Sequence, residues 1–265
     1  RAIGTYRTNK VPGGAYFDAT RMRLTEILQG NPGITHAVVL YGETAIDPCK
    51  ANPKRSHEIN VESTKRVIDD LTQEGIKPIF TSSDYVFDGD KGNYTEDDPT
   101  NPITVYGSQK VEVEQYLSER CEDYAILRLA RVFGSDPKDG TILSTWLRQI
   151  WNNEEIRCAR DQVFSPIHVD DVVAMTDAVI RLDLSGVYHV SNTQPWSRLA
   201  MLNALLKGLG TEARVVECSI RDFDFLERRP PNLSMIPAKI VEKTGRKPKS
   251  VESACAEIRS KISGL

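Results

Sequence analysis

Several features that define common protein classes are missing from this chain of 265 residues. It contains no apolar run approaching the ~20 residues that cross a bilayer, and no signal peptide is visible. The formal net charge of −3 and the pI near 5.9 provide no basic surface for nucleic acid or for an anionic membrane. We therefore expect a cytoplasmic protein with neither nucleic-acid nor membrane partners.

Patterns typical of metal sites and disulfide frameworks are also absent. The five cysteines are odd in number, widely spaced and without a C-x-x-C pair. The four histidines lack the short spacings that zinc ligands show. Reduced thiols are the simplest interpretation, and no metal is predicted.

Short apolar strand patterns alternate with helical patterns through the first half of the chain. Strands are predicted at 2–6, 36–41, 77–83 and 124–130, and helices at 19–29, 56–75 and 104–120. Continuous apolar strands separated by helices indicate a parallel sheet that is covered on both faces. Right-handed crossovers then produce a doubly wound, Rossmann-type α/β fold. Beyond residue 137 the alternation loosens, which indicates a smaller C-terminal lobe.

Polar side chains suited to proton transfer are predicted to meet at one edge of this sheet. Ser82, Ser83 and Asp84 lie at the end of the third strand, and Tyr106 and Lys110 begin the helix that follows. Ligands of open α/β sheets bind at the carboxyl ends of the strands. A Tyr-x-x-x-Lys spacing alone also occurs on solvated helix faces, so the nearby serine is what favours an active site.

Ser83, Tyr106 and Lys110 together fit the reduction of a ketone, which needs hydride at carbon and a proton at oxygen. A tyrosine hydroxyl can supply the proton, but its ordinary pKa of about 10 is too high for efficient transfer near neutrality. An ammonium group one helical turn away lowers that pKa because it favours the phenolate. A serine hydroxyl opposite can hold the carbonyl oxygen as negative charge develops on it.

One long stretch resembles the signature region of the extended short-chain dehydrogenases/reductases, namely FTSSDYVFDGDKGNYTEDDPTNPITVYGSQKVEVE. Within that class it is most similar to the dTDP-4-dehydrorhamnose reductase branch, with its Asp-Tyr-Val-Phe-Asp-Gly strand end and its Tyr-Gly-x-x-Lys helix. Further segments resemble the family in the same order: LRLARVFG, DQVFSPIHVDDVV and RRPPNLSMIPAKI. The resemblance extends over nearly the whole chain.

The resemblance implies an NADP or NAD cofactor lying across the strand ends. Arg7 follows a family strand at a place suited to a 2′-phosphate and so favours NADP, although an exposed loop arginine is an equal alternative. Tyr41 stands where the family prefers a small residue, and we expect it to crowd the site. The residues that the resemblance assigns to the cofactor are Arg7, Asp18, Leu40, Tyr41, Gly42, Ser82, Tyr106 and Lys110.

The resemblance also implies a nucleotide-sugar site. Asp84 and Tyr85 lie beside the proposed catalytic serine, and Gln162, Ser165 and Arg229 match family positions that face the nucleotide-sugar. An arginine suits a diphosphate because its planar fork can bond two oxygens at once. Hydrogen bonding within loops is the alternative role for each of these side chains.

The first β-α unit of such a domain is expected to be missing from this chain. A dinucleotide-binding domain begins with a strand and a G-x-x-G-x-x-G turn, and the early glycine pair Gly13-Gly14 does not form one. We predict an N-terminally incomplete NAD(P)-binding Rossmann domain at 1–136, to which 162–192 returns. Residues 137–265 are predicted to be mainly a substrate-binding lobe.

The sequence thus predicts an NAD(P)H-dependent reductase of a nucleotide-linked 4-keto-6-deoxy sugar, with Tyr106 as proton donor. Two alternatives stay open: a sugar-nucleotide epimerase, and a non-catalytic NADP-binding or regulatory subunit similar to the β-subunit of methionine adenosyltransferase. The intact Ser-Tyr-Lys set favours an enzyme, whereas Tyr41 and the missing glycine turn favour a binding protein. The identity of the sugar and the formation of a homodimer are left open.

Overall fold

The computed structural model describes residues 2–263; Arg1, in the predicted 1–136 domain, and residues 264–265, in the predicted lobe, lie outside the described residues. The helices are α1 (Thr25–Leu28), α2 (Ile46–Ala51), α3 (Pro53–His57), α4 (Ser63–Gln73), α5 (Val105–Arg120), α6 (Ile142–Trp151), α7 (Val169–Arg181), α8 (Arg198–Leu209), α9 (Ala238–Thr244) and α10 (Val251–Ser263). A π-helical turn (Glu58–Glu62) joins α3 to α4, and 3₁₀ turns cover Asp84–Val86 and Ile220–Asp222.

The strands are mostly short and fall into five sheets. In chain order they are β1 (Thr5–Tyr6), β2 (Ala15–Tyr16), β3 (His36–Val39), β4 (Lys77–Ser83), β5 (Ala125–Leu129), β6 (Val132–Phe133), β7 (Ile156–Ala159), β8 (Val163–Phe164), β9 (Ile167–His168), β10 (Gly186–Val190), β11 (Trp196–Ser197), β12 (Val215–Cys218) and β13 (Asn232–Leu233). The main sheet has the order β10-β5-β4-β3, and all of its pairs are parallel. The predicted parallel α/β architecture is therefore confirmed.

Helices cover both faces of the main sheet. Successive strand residues point to opposite sides, and apolar residues on both sides pack against helices. On one face, Ile79 and Leu127 belong to a core that includes residues of α7 and α9. On the other face, Phe80 and Ile126 pack in a core that includes residues of α4 and α5. All seven residues of β4 are buried, which matches its continuous apolar character.

A second lobe is built from the later helices and the small sheets. Its core joins residues of α6, α8 and α10, with Trp146 among the largest buried side chains. β7 pairs with β12, and β8 pairs with β11 and β13. β10 returns to the main sheet beside β5, whereas β8 belongs to the small sheet of order β11-β8-β13. The division near residue 137 remains a prediction.

Two predicted elements near the N-terminus are shorter than expected. The helix predicted at 19–29 is only the single turn α1. The residues between Asp18 and α1 begin in turns. The Asp18 carbonyl accepts from the backbone N–H groups of Arg21 and Met22, and its carboxylate accepts from Thr20. The chain leaves these turns at Arg23 and Leu24, where the Arg23 guanidinium and the Leu24 backbone N–H donate to the Asp70 carboxylate on α4. The strand predicted at 2–6 is reduced to β1, which pairs with β2 outside the main sheet.

Two expectations drawn from missing patterns concern the cysteines and the membrane. All five cysteines are free and buried. Within residues 2–263, no helix combines the length and the apolar character needed to cross a bilayer.

The buried ion pair between Arg128 on β5 and Glu114 on α5 provides a test of the packing. Both side chains are 7% exposed, and Nη2 lies 2.8 Å from Oε2. We expect Arg128→Met to lower the free energy of unfolding by about 3–5 kcal/mol, because it leaves the Glu114 carboxylate buried without its partner. Urea denaturation measures the change. Arg181→Met removes an exposed pair with Asp177 and should cost less than about 0.5 kcal/mol; equal losses would contradict this interpretation.

Candidate active site

The helix that carries Tyr106 and Lys110 begins at the carboxyl end of β4. Thr104 is its N-cap, and the Thr104 hydroxyl accepts from the Gly107 backbone N–H at 3.1 Å. Ser83 is the last residue of β4. The strand end and the first turn of α5 therefore bring Ser83, Tyr106 and Lys110 into one buried group, as the sequence predicted.

Lys110 is anchored beneath this edge of the sheet. Its Nζ donates to the Thr81 carbonyl oxygen at 2.8 Å and lies 4.6 Å from the centre of the Phe80 ring. The Tyr106 ring centre lies 5.7 Å from the same Nζ. Burial lowers the pKa of Lys110 to about 8, against the opposing influence of Glu114. The lysine thus has a fixed position and a proton that is held less tightly than usual.

Tyr106 is buried beside Ser83. Burial raises its pKa above the ordinary value, although the neighbouring Ser83 hydroxyl acts in the opposite direction. This differs from the expectation that Lys110 would dominate. The physical reason is that removing the phenolate from water is unfavourable, and the nearby Asp84 carboxylate raises the pKa further. The phenol is neutral in this environment and holds its proton.

Asp84 controls the orientation of the Ser83 hydroxyl. Ser83 Oγ donates to Asp84 Oδ1 at 3.0 Å and accepts from the Tyr85 backbone N–H at 3.3 Å. Burial raises the pKa of Asp84 to about 6, with the Ser83 bond opposing the shift. The Tyr85 ring packs edge-on against Tyr106, with 6.0 Å between the ring centres. Asp84 and Tyr85 therefore line the group formed by Ser83 and Tyr106.

Gly107 allows α5 to approach the strand end closely. A Cβ atom at this position would lie 2.1 Å from the Tyr85 carbonyl oxygen and 3.0 Å from Pro102 Cβ. Only glycine fits at this position without a shift of the helix. Gly107 therefore determines how closely α5 packs against Tyr85.

The residues predicted to bind cofactor after β3 have different environments. Leu40 is 68% exposed at the strand end. The Tyr41 ring packs with the core shared by α4 and α5, and Ser63 Oγ donates to its hydroxyl at 3.2 Å. Tyr41 is partly buried against this core, and its effect on cofactor binding stays a prediction. A Cβ at Gly42 would lie 2.9 Å from Asn60 Oδ1. Ser82 Oγ is buried and has no hydrogen-bond partner among the described residues.

Arg7 and Asp18 form a separate group in the N-terminal region. Thr20 donates to the Asp18 carboxylate from its backbone N–H at 3.0 Å and from its hydroxyl at 2.6 Å. This side-chain bond, with smaller contributions from Arg7 and Arg21, holds the pKa of Asp18 below its ordinary value. Their contribution to cofactor binding stays a prediction.

The other predicted substrate residues, Gln162, Ser165 and Arg229, lie in the later part of the chain. Ser165 Oγ bridges to the backbone of Met235, donating to its carbonyl and accepting from its N–H, both at 3.2 Å. The Gln162 carbonyl accepts from the Arg198 N–H at 2.8 Å. Arg229 is buried, pairs with Asp47 at 2.6 Å, and leaves Nη1 without a partner among the described residues. It also lines a cavity of about 270 Å³ together with Phe223 and Phe225, two stacked aromatic rings.

Several residues that support the site are not among the predicted site residues. Asn60, in the π-helical turn, donates to Gln109 Oε1 at 2.8 Å and accepts from the Glu43 N–H at 2.7 Å. It thereby connects the loop after β3 to the helix residue that precedes Lys110. Asp47 and Glu227 join the two halves of the molecule. These pairs are distant in sequence, so no local spacing could reveal them.

One cluster in the described part of the chain has the residue types of a metal site. It consists of His57, Glu62 and Glu112. However, each imidazole nitrogen faces a different carboxylate: Nε2 lies 3.0 Å from Glu112 and Nδ1 lies 3.8 Å from Glu62. Lys65 also pairs with Glu112 at 2.7 Å. This geometry is that of an ion-pair network between α3, α4 and α5.

Comparisons with known proteins agree with the fold. The spore coat polysaccharide biosynthesis protein SpsK of Bacillus subtilis (strain 168) is 28% identical over 218 residues, which are 81% of this chain and 75% of that protein. The dTDP-4-dehydrorhamnose reductase of Sinorhizobium fredii is 27% identical over 220 residues, 78% of this chain and 73% of that protein. A dTDP-4-dehydrorhamnose reductase from Bacillus anthracis, solved in complex with NADP, superposes with a TM-score of 0.84 at 24% identity, covering 92% of this chain and 86% of that one.

The fold, the Ser-Tyr-Lys group and these relatives define an extended short-chain dehydrogenase/reductase, a class of NAD(P)-dependent oxidoreductases. Within that class, the chain belongs to the RmlD substrate binding domain family, whose family model matches residues 24–263.

The lowered pKa of Lys110 predicts a pH dependence of stability. Because the folded pKa is about 8 and the ordinary value is 10.5, the unfolded chain binds more protons between these values. The free energy of unfolding of the wild type should therefore rise relative to that of Lys110→Met above pH 8, by up to about 3 kcal/mol near pH 10.5. Urea denaturation of both proteins from pH 7 to 10 measures this difference. A difference that stays constant over this range would contradict the assignment.

The close packing at Gly107 generates a second prediction. Gly107→Ala should lower the free energy of unfolding by about 1–3 kcal/mol, because the added methyl group overlaps the Tyr85 carbonyl oxygen. This loss should occur although alanine is intrinsically the better helix former. Urea denaturation provides the measurement, and Ser108→Ala at the exposed next position is the matched control. A Gly107→Ala protein as stable as the control would show that the helix can shift without cost.

Proposed function

We propose that this protein reduces the keto group of a nucleotide-linked sugar, with a 4-keto-6-deoxy sugar as the substrate and NADP(H) as the cofactor. The observation that carries the proposal is the burial of Ser83, Tyr106 and Lys110 together at the carboxyl end of β4. The family and the reductase relatives support the reaction class. The substrate and the roles of individual residues are our inference.

The residues at the strand ends fit a nicotinamide cofactor. Leu40 is an exposed apolar side chain at the end of β3, and Ser82 has a buried hydroxyl that is free to bond a ligand. Lys110 uses one of its three donors on Thr81 and retains others for a ribose. Arg7 and Asp18 would hold the adenosine end, with Arg7 favouring a 2′-phosphate. When bound, the cofactor supplies the hydride.

The side chains of this chain would manage the proton. Tyr106 donates its hydroxyl proton to the ketone oxygen as negative charge develops there, and Ser83 donates a hydrogen bond to the same oxygen. The Lys110 ammonium stabilises the phenolate that results. Because Ser83 Oγ donates to Asp84 in this structure, the serine hydroxyl would turn from Asp84 to the substrate. Burial excludes water and strengthens each of these interactions.

The proposed substrate would extend toward the second lobe. Arg229 offers an unpartnered Nη1 beside a cavity with aromatic walls, a setting suited to a diphosphate and a nucleoside. Asp84 and Tyr85 would contact the sugar, and Gln162 and Ser165 would shape the adjoining wall. A nucleotide-sugar is the partner class that these features favour.

Replacing Tyr106 tests the proposal directly. Tyr106→Phe should reduce NADPH-dependent turnover of a dTDP-4-keto-6-deoxy sugar by at least about 100-fold, because a positioned acid contributes on that order to the rate. NADPH oxidation followed by absorbance measures the rate. Retained turnover would show that another group is the acid.

Binding measurements separate an inactive variant from a damaged one and from a binding protein. Tyr106→Phe should keep its thermal unfolding midpoint and its NADPH affinity, measured by calorimetry, within about twofold of the wild type. A wild-type protein that binds no NADPH at millimolar concentration would overturn the reductase proposal. NADPH binding without turnover would instead favour the regulatory-subunit alternative.

A further inference from the structure

A short segment of the second lobe crosses to the half of the molecule that carries the Ser-Tyr-Lys group. We name residues 225–229 the bridging segment. The Leu226 backbone N–H donates to Asp47 Oδ1 at 3.1 Å, and Arg229 Nη2 donates to the same oxygen at 2.6 Å. Asp47 lies on α2, directly after β3. One carboxylate therefore fixes both ends of this segment against the strand-end region.

The centre of the bridging segment holds the start of α5. Both carboxylate oxygens of Glu227 accept from the Val105 backbone N–H, at 3.0 Å and 3.3 Å. Lys50 Nζ lies 3.7 Å from Glu227 Oε1, and the Glu227 side chain is only 8% exposed. The first N–H groups of a helix have no partner within the helix, and a carboxylate there also complements the helix dipole. Glu227 thus acts as a second N-terminal cap of α5, although it lies 122 residues from Val105 in the sequence.

Val105 directly precedes Tyr106, so the position of this cap bears on the position of the phenol. Thr104 caps the Gly107 N–H from within the same segment of chain, whereas Glu227 caps Val105 from the other lobe. We propose that Glu227 is a positioning residue that holds the first turn of α5, and with it Tyr106, in the geometry for proton transfer. The inference rests on the proposed function. A displacement of about 1 Å in a reacting group can cost a large factor in rate.

The same segment also borders the proposed substrate cavity. Phe225, Glu227 and Arg229 all line the cavity of about 270 Å³, and the Arg229 guanidinium lies 4.4 Å from the centre of the Phe225 ring. A nucleotide-sugar in this cavity would touch the segment that caps α5. Glu227 therefore connects the proposed substrate cavity to the first turn of α5, which carries the proposed proton donor Tyr106.

Kinetics of Glu227 variants test the positioning role. Glu227→Ala should lower kcat about tenfold with KM within about twofold, because Tyr106 is displaced while Arg229 and Phe225, the cavity residues suited to the diphosphate and the nucleoside, are unchanged. Glu227→Gln keeps an acceptor of the same length and should recover most of the loss. Glu212→Ala, at an exposed glutamate of the same lobe, is the matched control and should behave as the wild type. A change confined to KM, or no recovery in Glu227→Gln, would overturn the proposal.

Amide hydrogen exchange gives a readout that does not require turnover. In Glu227→Ala, peptides covering residues 104–110 should exchange about tenfold faster in the uncapped first turn, while peptides of β4 and β5 stay unchanged. Unchanged exchange at 104–110 would overturn the positioning role whether or not the enzyme is active. If the wild type shows no turnover but exchange responds as expected, the proposed function fails and the structural role of Glu227 stands. Should Glu227→Ala not fold, the same comparison is made with Glu227→Met, which keeps a long side chain but has no oxygen to accept from the Val105 N–H.

Discussion

The hydrogen bond from Lys110 Nζ to the Thr81 carbonyl oxygen is the constraint on which the rest of the site depends. It ties α5 to β4 beneath the carboxyl edge of the sheet, where a buried ammonium group is costly unless it is bonded. Because the helix is held at this point, Tyr106 lies one turn above, against Ser83 and Tyr85. Gly107 then allows the close approach that this attachment requires.

Burial moves the titratable groups of the site toward their neutral forms. It raises the pKa of Tyr106 and of Asp84 and lowers that of Lys110. A site with these properties keeps its proton on the phenol until negative charge appears on a substrate oxygen nearby. The interactions then act in a medium of low dielectric, where a hydrogen bond from Ser83 or a charge on Lys110 has a larger effect than in water.

The two lobes are joined by carboxylates that lie far from their partners in sequence. Asp47 accepts from Leu226 and Arg229, and Glu227 accepts from Val105. Asp47 from the first half thus holds the segment at Leu226 and Arg229, and Glu227 from the second half holds the start of α5. The proposed active site accordingly depends on contacts from both halves of the chain, although the Ser-Tyr-Lys group itself lies on β4 and α5.

The sequence by itself determined the class of fold, the family resemblance and the grouping of Ser83, Tyr106 and Lys110. Strand and helix periods are local, and a four-residue spacing on a helix places two side chains on one face whatever surrounds them. Only the tertiary structure decided that Tyr41 packs against the core, that bonds from Arg23 and Leu24 to Asp70 interrupt the first predicted helix, and that Glu227 caps α5. All three depend on contacts between residues that no periodicity connects.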